Sequence, residues 1–265
     1  MAKNDVVCIG QACTDVLIKG FRYEDCVKGA RMRVDNVSLA LGGDAANEAT
    51  ILSRLGYSVK IICAIGKDAA GEFVKNELWQ NGIDTSGIQY PKNHFTLVSG
   101  VLIPEDMERS FIIEKKVRYG DYIITPDMFK NTRLVSLASL FYDPFLEPEN
   151  VYTAVTCAKK DGSIVCADVS TNKDVKDITA FKESLPYIDY FLPNEEEANF
   201  FAKTCCAEDA AEYFLNAGVR HVIIKLGAKG CLVKTHDVTR YIPAIPAEPV
   251  DSTGAGDNFV SGFIS

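Results

Sequence analysis

Short apolar runs alternate with segments of helical period along most of this chain, and that alternation narrows the folds open to it. Val6 to Ile9 reads as a buried strand closed by Gly10, and Gly42-Gly43 precedes a helix-period segment from Ala45 to Leu55 that Gly56 stops. Val59 to Ile65 is a second apolar strand, followed by a helix from Ala69 to Gln80 that ends at Asn81-Gly82. Further on, Leu134–Ala138, Ser163–Ala167, Ile188–Leu192 and His221–Leu226 read as strands, with helical stretches near Glu149–Lys160, Glu195–Lys203 and Glu208–Ala217 between them. Apolar strands joined by helices predict an α/β body with a mostly parallel sheet.

Two segments break the rhythm. Asp15 to Leu41 holds strand-like pieces but no good helix, and Phe95–Ile103 with Arg109–Glu114 reads as a β-hairpin around Pro104. Weak alternation in the hairpin predicts one solvated face. The expected organisation is a body of residues 1–12, 40–92 and 117–265, with a small β lid from residues 13–39 and 93–116.

At 265 residues the chain can bury a large core. A net charge of −8 argues against nucleic acid or an anionic membrane as the main partner. The nine cysteines show neither zinc spacing nor a disulfide framework, so buried, reduced thiols in a cytoplasmic protein are expected. The N-terminus lacks a signal-peptide core, and the longest apolar run, near Leu134 to Tyr142, is too short to span a bilayer.

The segment from Pro249 to Phe259 holds Gly254-Ala255-Gly256-Asp257 at the start of an apolar helical stretch. Unpaired N–H groups and the helix dipole make such a start an anion cradle. Alone, it is also an ordinary helix start in which Asp257 gains about 0.3–1 kcal/mol from the dipole. Asp251 and Thr253 add oxygen donors upstream, suited to a phosphate or cation site. Asn194-Glu195-Glu196-Glu197 follows a strand and reads as a capping box, or as acids that hold Mg²⁺ through water. Lys225-Leu226-Gly227-Ala228-Lys229-Gly230 is a hairpin turn or a glycine loop lying against a nucleotide. Gly42-Gly43 with Asn47 is a flexible turn before a helix, or a hinge beside a ligand. Asp15 is a solvated loop residue or a ligand to hydroxyl groups. Walker A, dinucleotide and nucleophile-elbow motifs are absent from the sequence.

In this order the pieces resemble the ribokinase-like (PfkB) family of carbohydrate and nucleoside kinases, over essentially the whole chain. Asp15 is similar to the family's early substrate-binding aspartate, and Gly42-Gly43-x-x-x-Asn47 to its di-glycine hinge and sugar-binding asparagine. Ile65-Gly66-Lys67-Asp68-x-x-Gly71 and Gly82-Ile83-Asp84-Thr85 match recurrent helix-flanking motifs. Asn194-x-x-Glu197 resembles the motif tied to Mg²⁺ and phosphate, and Gly227-x-x-Gly230, next to Lys225, the nucleotide loop. Asp251-x-Thr253-Gly254-Ala255-Gly256-Asp257 resembles the second family signature, the most specific of these motifs.

The resemblance implies a doubly wound α/β body with a β lid that often mediates homodimerisation. It also implies ATP- and Mg²⁺-dependent phosphoryl transfer to a primary hydroxyl. By the match Asp257 is the general base, while the N–H groups around Ala255, Gly256 and Asp257 hold charge on the transferring group. In members that bind K⁺, Asp251 and Thr253 match two contributors to that site.

Two departures shape the expectations. Family members normally continue past the signature helix, whereas here the sequence is still apolar at Phe263-Ile264 near its end, so a missing C-terminal part is expected. Asp44 stands where ribokinases and phosphofructokinases of the family typically have Lys. A carboxylate facing the acceptor there favours a neutral sugar, fructose- or ribose-like, over a phosphorylated or acidic one; a solvent-facing Asp44 would not. A nucleoside kinase with Phe95, Phe111 or Tyr23 as an aromatic platform, and a non-catalytic sugar-binding relative, are the alternatives.

Overall fold

The computed structural model describes residues 4–23, 31–104, 109–114, 122–141, 148–170, 178–248 and 254–265. The first strand, β1 (Asn4–Ile9), leads to β2 (Cys13–Lys19) and β3 (Asn36–Gly42), then to helix α1 (Asp44–Arg54), β4 (Val59–Ala64), α2 (Ala69–Gln80) and β5 (Asp84–Gln89). Strands β6 (Val98–Ile103) and β7 (Ser110–Ile112) precede β8 (Thr132–Leu140), α3 (Pro148–Lys160) and β9 (Ile164–Val169). The chain continues through β10 (Tyr190–Phe191), α4 (Glu195–Ala202), α5 (Ala207–Asn216), β11 (His221–Lys225), β12 (Cys231–Lys234), β13 (Thr239–Ile242) and α6 (Ala255–Ile264).

Nine strands form one sheet in the order β13-β12-β11-β10-β9-β8-β1-β4-β5. It is parallel from β5 to β11, while β12 and β13 are antiparallel. β1 lies between β4 and β8, so the sheet grows outward from β1 in both directions. That is a doubly wound arrangement, and its crevice lies at the carboxyl ends of the strands. The apolar runs are buried on both faces. Val7 and Ile9 join a core with Val155 of α3, Phe201 of α4 and Phe214 of α5. Val6 and Cys8 pack into another with Ala49 and Leu52 of α1 and Val74 and Leu78 of α2. On α6, Val260 packs against Cys166, Leu192 and Ile223.

Two strands of this sheet carry no apolar signal. β5 is an edge strand of sequence DTSGIQ that buries only Gly87 fully, and β13 is an edge strand exposed along its length. The eight described cysteines are unbridged, six of them buried. No described helix is long and apolar enough to cross a membrane.

A second sheet has the order β3-β2-β6-β7. The expected hairpin is present as antiparallel β6 and β7, with β2 pairing parallel to β6 and antiparallel to β3. β3 runs to Gly42, beyond the expected limit at residue 39. The sheet does have an exposed face, but it is apolar rather than polar: Val37 is 59% exposed, Leu39 56%, Val98 46% and Ile112 60%.

Candidate active site

Several of the residues singled out in the sequence, Asn47, Lys225, Gly256 and Asp257, meet where α6 starts. Gly254, its N-cap, has φ +66°, a left-handed conformation that glycine adopts without strain. The helix start leaves the N–H groups of Ala255, Gly256 and Asp257 without intrahelical acceptors. Asp257 in this turn is buried, and Asn47 Nδ2 of α1 donates to its Oδ2 at 2.7 Å. Burial raises the Asp257 carboxyl above the ordinary range, the Asn47 bond opposes this, and the positive charges of Lys225 and Arg109 favour its ionised form.

Lys225 ends β11, and its ammonium bridges both oxygens of Asp168 near the end of β9, at 2.9 and 2.7 Å. Despite burial, Asp168 raises the Lys225 pKa, so the lysine is charged. A Cβ on Gly256 would lie 3.6 Å from Lys225 Nζ and 4.0 Å from Asp168 Oδ2, which places the pair against the first turn of α6. Removing one partner of a buried ion pair costs about 3–5 kcal/mol.

The di-glycine has two distinct jobs. A Cβ at Gly42 would fall 2.3 Å from Asp15 Oδ2, so this glycine lets the Asp15 carboxylate lie across the end of β3. Gly43 has φ +91°, and a Cβ there would come within 2.5 Å of the Gln11 carbonyl oxygen. Gly43 is therefore the close crossing of two backbones and the N-cap of α1. Burial raises the Asp15 pKa, while hydrogen bonds with Cys13 and Ser99 and the charge of Arg109 lower it. Arg109, on the approach to β7, thus lends its positive charge to both Asp15 and Asp257.

Asn194 and Glu197 form a reciprocal capping box on α4. Glu197 N donates to Asn194 Oδ1 and Asn194 N to Glu197 Oε2, each at 2.8 Å. Such a cap is worth about 1 kcal/mol. Glu197 Oε1 stays unengaged among the described residues, and burial with the nearby Asp168 charge pushes this carboxyl up to about 7. Gly227 begins a 3-10 turn between β11 and β12, and Gly230 lies against the end of β13, where a Cβ would strike Ile242 O. The hairpin reading of this loop accounts for both glycines.

Asp44 faces the site rather than solvent. Burial and the negative charges of Asp257 and Asp168 push its carboxyl up to about 8. One turn on, Glu48 is fully buried, its Oε2 accepting from Ser136 Oγ at 2.5 Å, and burial holds its pKa well above the usual range. Asp251 and Thr253 lie outside the described residues. Among the described residues no group of three or more His, Cys, Asp or Glu is arranged to hold a metal.

Asp168, Glu48 and Arg109 escaped the sequence reading. An acid at the carboxyl end of an apolar strand is the signal for Asp168. Glu48 shares the apolar stripe of Ala45, Ala49 and Leu52, the wrong place for a solvated acid.

The sequence pattern of the pfkB family of carbohydrate kinases matches residues 3–265. A ribokinase of Haemophilus influenzae is 29% identical over 244 residues, spanning 89% of this chain and 77% of the relative. A 5-dehydro-2-deoxygluconokinase of Clostridium perfringens is 32% identical over 279 residues, spanning 99% and 80%. Among solved structures, Arabidopsis thaliana ribokinase complexed with ribose and ATP superposes with a TM-score of 0.81 at 24% identity, over 99% of this chain and 85% of that one. The chain belongs to the pfkB family of carbohydrate kinases, enzymes that transfer a phosphoryl group to a hydroxyl acceptor.

Proposed function

We propose that this chain transfers the γ-phosphoryl group of ATP to a primary hydroxyl of a neutral, ribose- or fructose-like sugar. The observation that carries this reading is the Asn47–Asp257 contact, which joins the acceptor side of the site to the anion-binding start of α6. The sugar lies against Asp15, Gly42, Gly43 and Asn47. Asp257 accepts the hydroxyl proton as the acceptor oxygen bonds to the γ-phosphorus. The bond from that phosphorus to the bridging oxygen breaks, and ADP leaves. A general base in this role contributes typically 10²–10⁴-fold. The N–H groups of Ala255, Gly256 and Asp257 stabilise charge on the transferring group, and such positioning carries most of phosphoryl-transfer catalysis.

ATP lies along Lys225 and the Gly227–Gly230 turn. The free Oε1 of Glu197, in a site rich in carboxylates, fits a hydrated Mg²⁺, with Asn194 fixing the start of α4 beside it. Bound with ATP, Mg²⁺ would neutralise phosphate charge. A K⁺ site would draw on Asp251 and Thr253. The small sheet serves as the lid, with a second copy of the chain on its outer face.

Neutrality of the acceptor rests on Asp15 and Asp257, whose ionised carboxylates on the acceptor side disfavour an anion. The 32% identity to a 5-dehydro-2-deoxygluconokinase favours a second reading, a sugar acid as acceptor. A coupled ADP-release assay with D-ribose, D-fructose, 5-dehydro-2-deoxygluconate and a nucleoside panel separates the two. The highest kcat/KM on a neutral sugar is expected; a sugar acid as best acceptor would overturn that choice.

A further inference from the structure

Lys225 and Asp168 meet across the segment that runs between their strands, where Lys225 N still donates to Pro193 O. They belong to β11 and β9, with β10 between, and β10 stops at Phe191. Beyond that point the two side chains reach each other over Pro193 and Asn194. A lysine ammonium has three N–H donors. Two engage Asp168 Oδ1 and Oδ2, and the third has no acceptor among the described residues. The ammonium sits beside Gly256, in the turn whose backbone N–H groups are also unpaired. Both side chains are largely buried.

We propose that Asp168 is a positioning residue: its carboxylate fixes the Lys225 ammonium so that the remaining N–H meets the phosphoryl group at the start of α6. The inference rests on the kinase reading above. Lys225 stays protonated throughout and takes no part in the proton transfer to Asp257. Its contribution is a fixed positive charge beside the transferring oxygens. An unrestrained ammonium on a four-carbon stem samples many rotamers and is strongly hydrated. Both oxygens of Asp168 hold it in one place and replace that water, the preorganisation that makes charge stabilisation effective. Glu197, Glu48 and Asp44 also face Lys225 but give it no hydrogen bond. Asp168 alone among these acids determines where its charge lies.

A double-mutant cycle tests this in kcat, measured with the best acceptor of the panel, alongside melting temperature. Lys225→Met and Asp168→Asn are each expected to lower kcat at least tenfold, with Lys225→Arg retaining more activity than Lys225→Met. The double variant should be no slower than Lys225→Met alone, because Asp168 acts through the lysine. Multiplicative losses in kcat, or a drop in melting temperature at unchanged kcat, would overturn the proposal. If Asp168→Asn does not fold, Asp168→Glu keeps the charge while moving it by one methylene. It should still lower kcat, and wild-type kcat there would defeat the idea. Calorimetry with the non-hydrolysable analogue AMP-PNP and Mg²⁺ reads the same contact without turnover. Weakening of at least tenfold in Lys225→Met supports it, and unchanged affinity overturns it. A wild-type chain that binds the analogue this way but phosphorylates nothing in the panel would overturn the acceptor reading instead.

Discussion

Asn47 Nδ2 donates to Asp257 Oδ2 at 2.7 Å, linking residues 210 positions apart in the sequence. The contact presents the carboxylate beside the acceptor side of the site and opposes the effect of burial on its protonation. Asp257→Asn should leave acceptor affinity within a fewfold and lower kcat by about 10²-fold or more. Unchanged turnover would remove Asp257 as the base.

The same bond sets a pH dependence. A general base at Asp257 must be ionised to accept a proton, so on the proposed reading activity falls as pH drops through its pKa. Asn47→Leu removes the donor that lowers this pKa, so the acid limb of kcat/KM, which reports the free enzyme, should move to higher pH. An acid limb that stays in place would mean the bond does not hold Asp257 ionised.

Stability should fall as pH rises across neutrality. Asp44 is raised to about 8 and Glu197 to about 7 in the folded chain. In the unfolded chain such groups ionise near pH 4. Between the two limits the folded state holds more protons, so unfolding becomes easier as pH increases. Asp44→Asn cannot ionise and should flatten part of this slope. Chains of this size shift in Tm by roughly 2–4 °C per kcal/mol, so a gain of a few degrees at pH 8.5, smaller at pH 5 and absent below about pH 4, is expected in a thermal melt.

Gly42→Ala and Gly43→Ala should separate function from stability. At Gly42 the added methyl meets the end of the Asp15 side chain, which can swing aside. The acceptor KM should then rise roughly tenfold, the effect of about 1.4 kcal/mol of lost hydrogen bonding, with little change in Tm. At Gly43 the methyl meets the Gln11 backbone, and φ is +91°. Backbone strain of about 1–3 kcal/mol should appear mainly as lost stability. Equal effects of the two variants on KM would mean that the di-glycine acts only as a hinge.

How far the sequence reveals this arrangement depends on burial. Strands buried on both faces, such as Val6–Ile9 and His221–Lys225, leave continuous apolar runs and are legible. β5, at the sheet edge, buries only Gly87 fully, and its DTSGIQ sequence carries no strand signal. Asp257 was legible because its glycines mark a helix start. Asp168 was not, because its partner Lys225 lies 57 residues further on and only the sheet order brings the two together. Glu48 stands on the apolar stripe of α1, but only the fold shows that its carboxyl is buried against Ser136.

The small sheet leads to a prediction about assembly. Register places Leu39 beside Val16 and Gly100 beside Ile112 in one row, with Val37 and Ile18 in the next. The apolar face they form is exposed, and contiguous apolar patches on a monomer mark an interaction surface. A second copy offers the same hydrophobic surface, so two copies can cover each other's sheets about a twofold axis. Leu39→Asp should therefore turn a dimer into a monomer in sedimentation equilibrium at micromolar concentration. Because Leu39 is exposed, the substitution should cost the monomer fold no more than about 0.5 kcal/mol. If the small sheet closes over the sugar as a lid, a monomer without the second sheet behind it should also show a higher acceptor KM. A wild-type chain that sediments as a monomer would leave this face without the partner assigned to it.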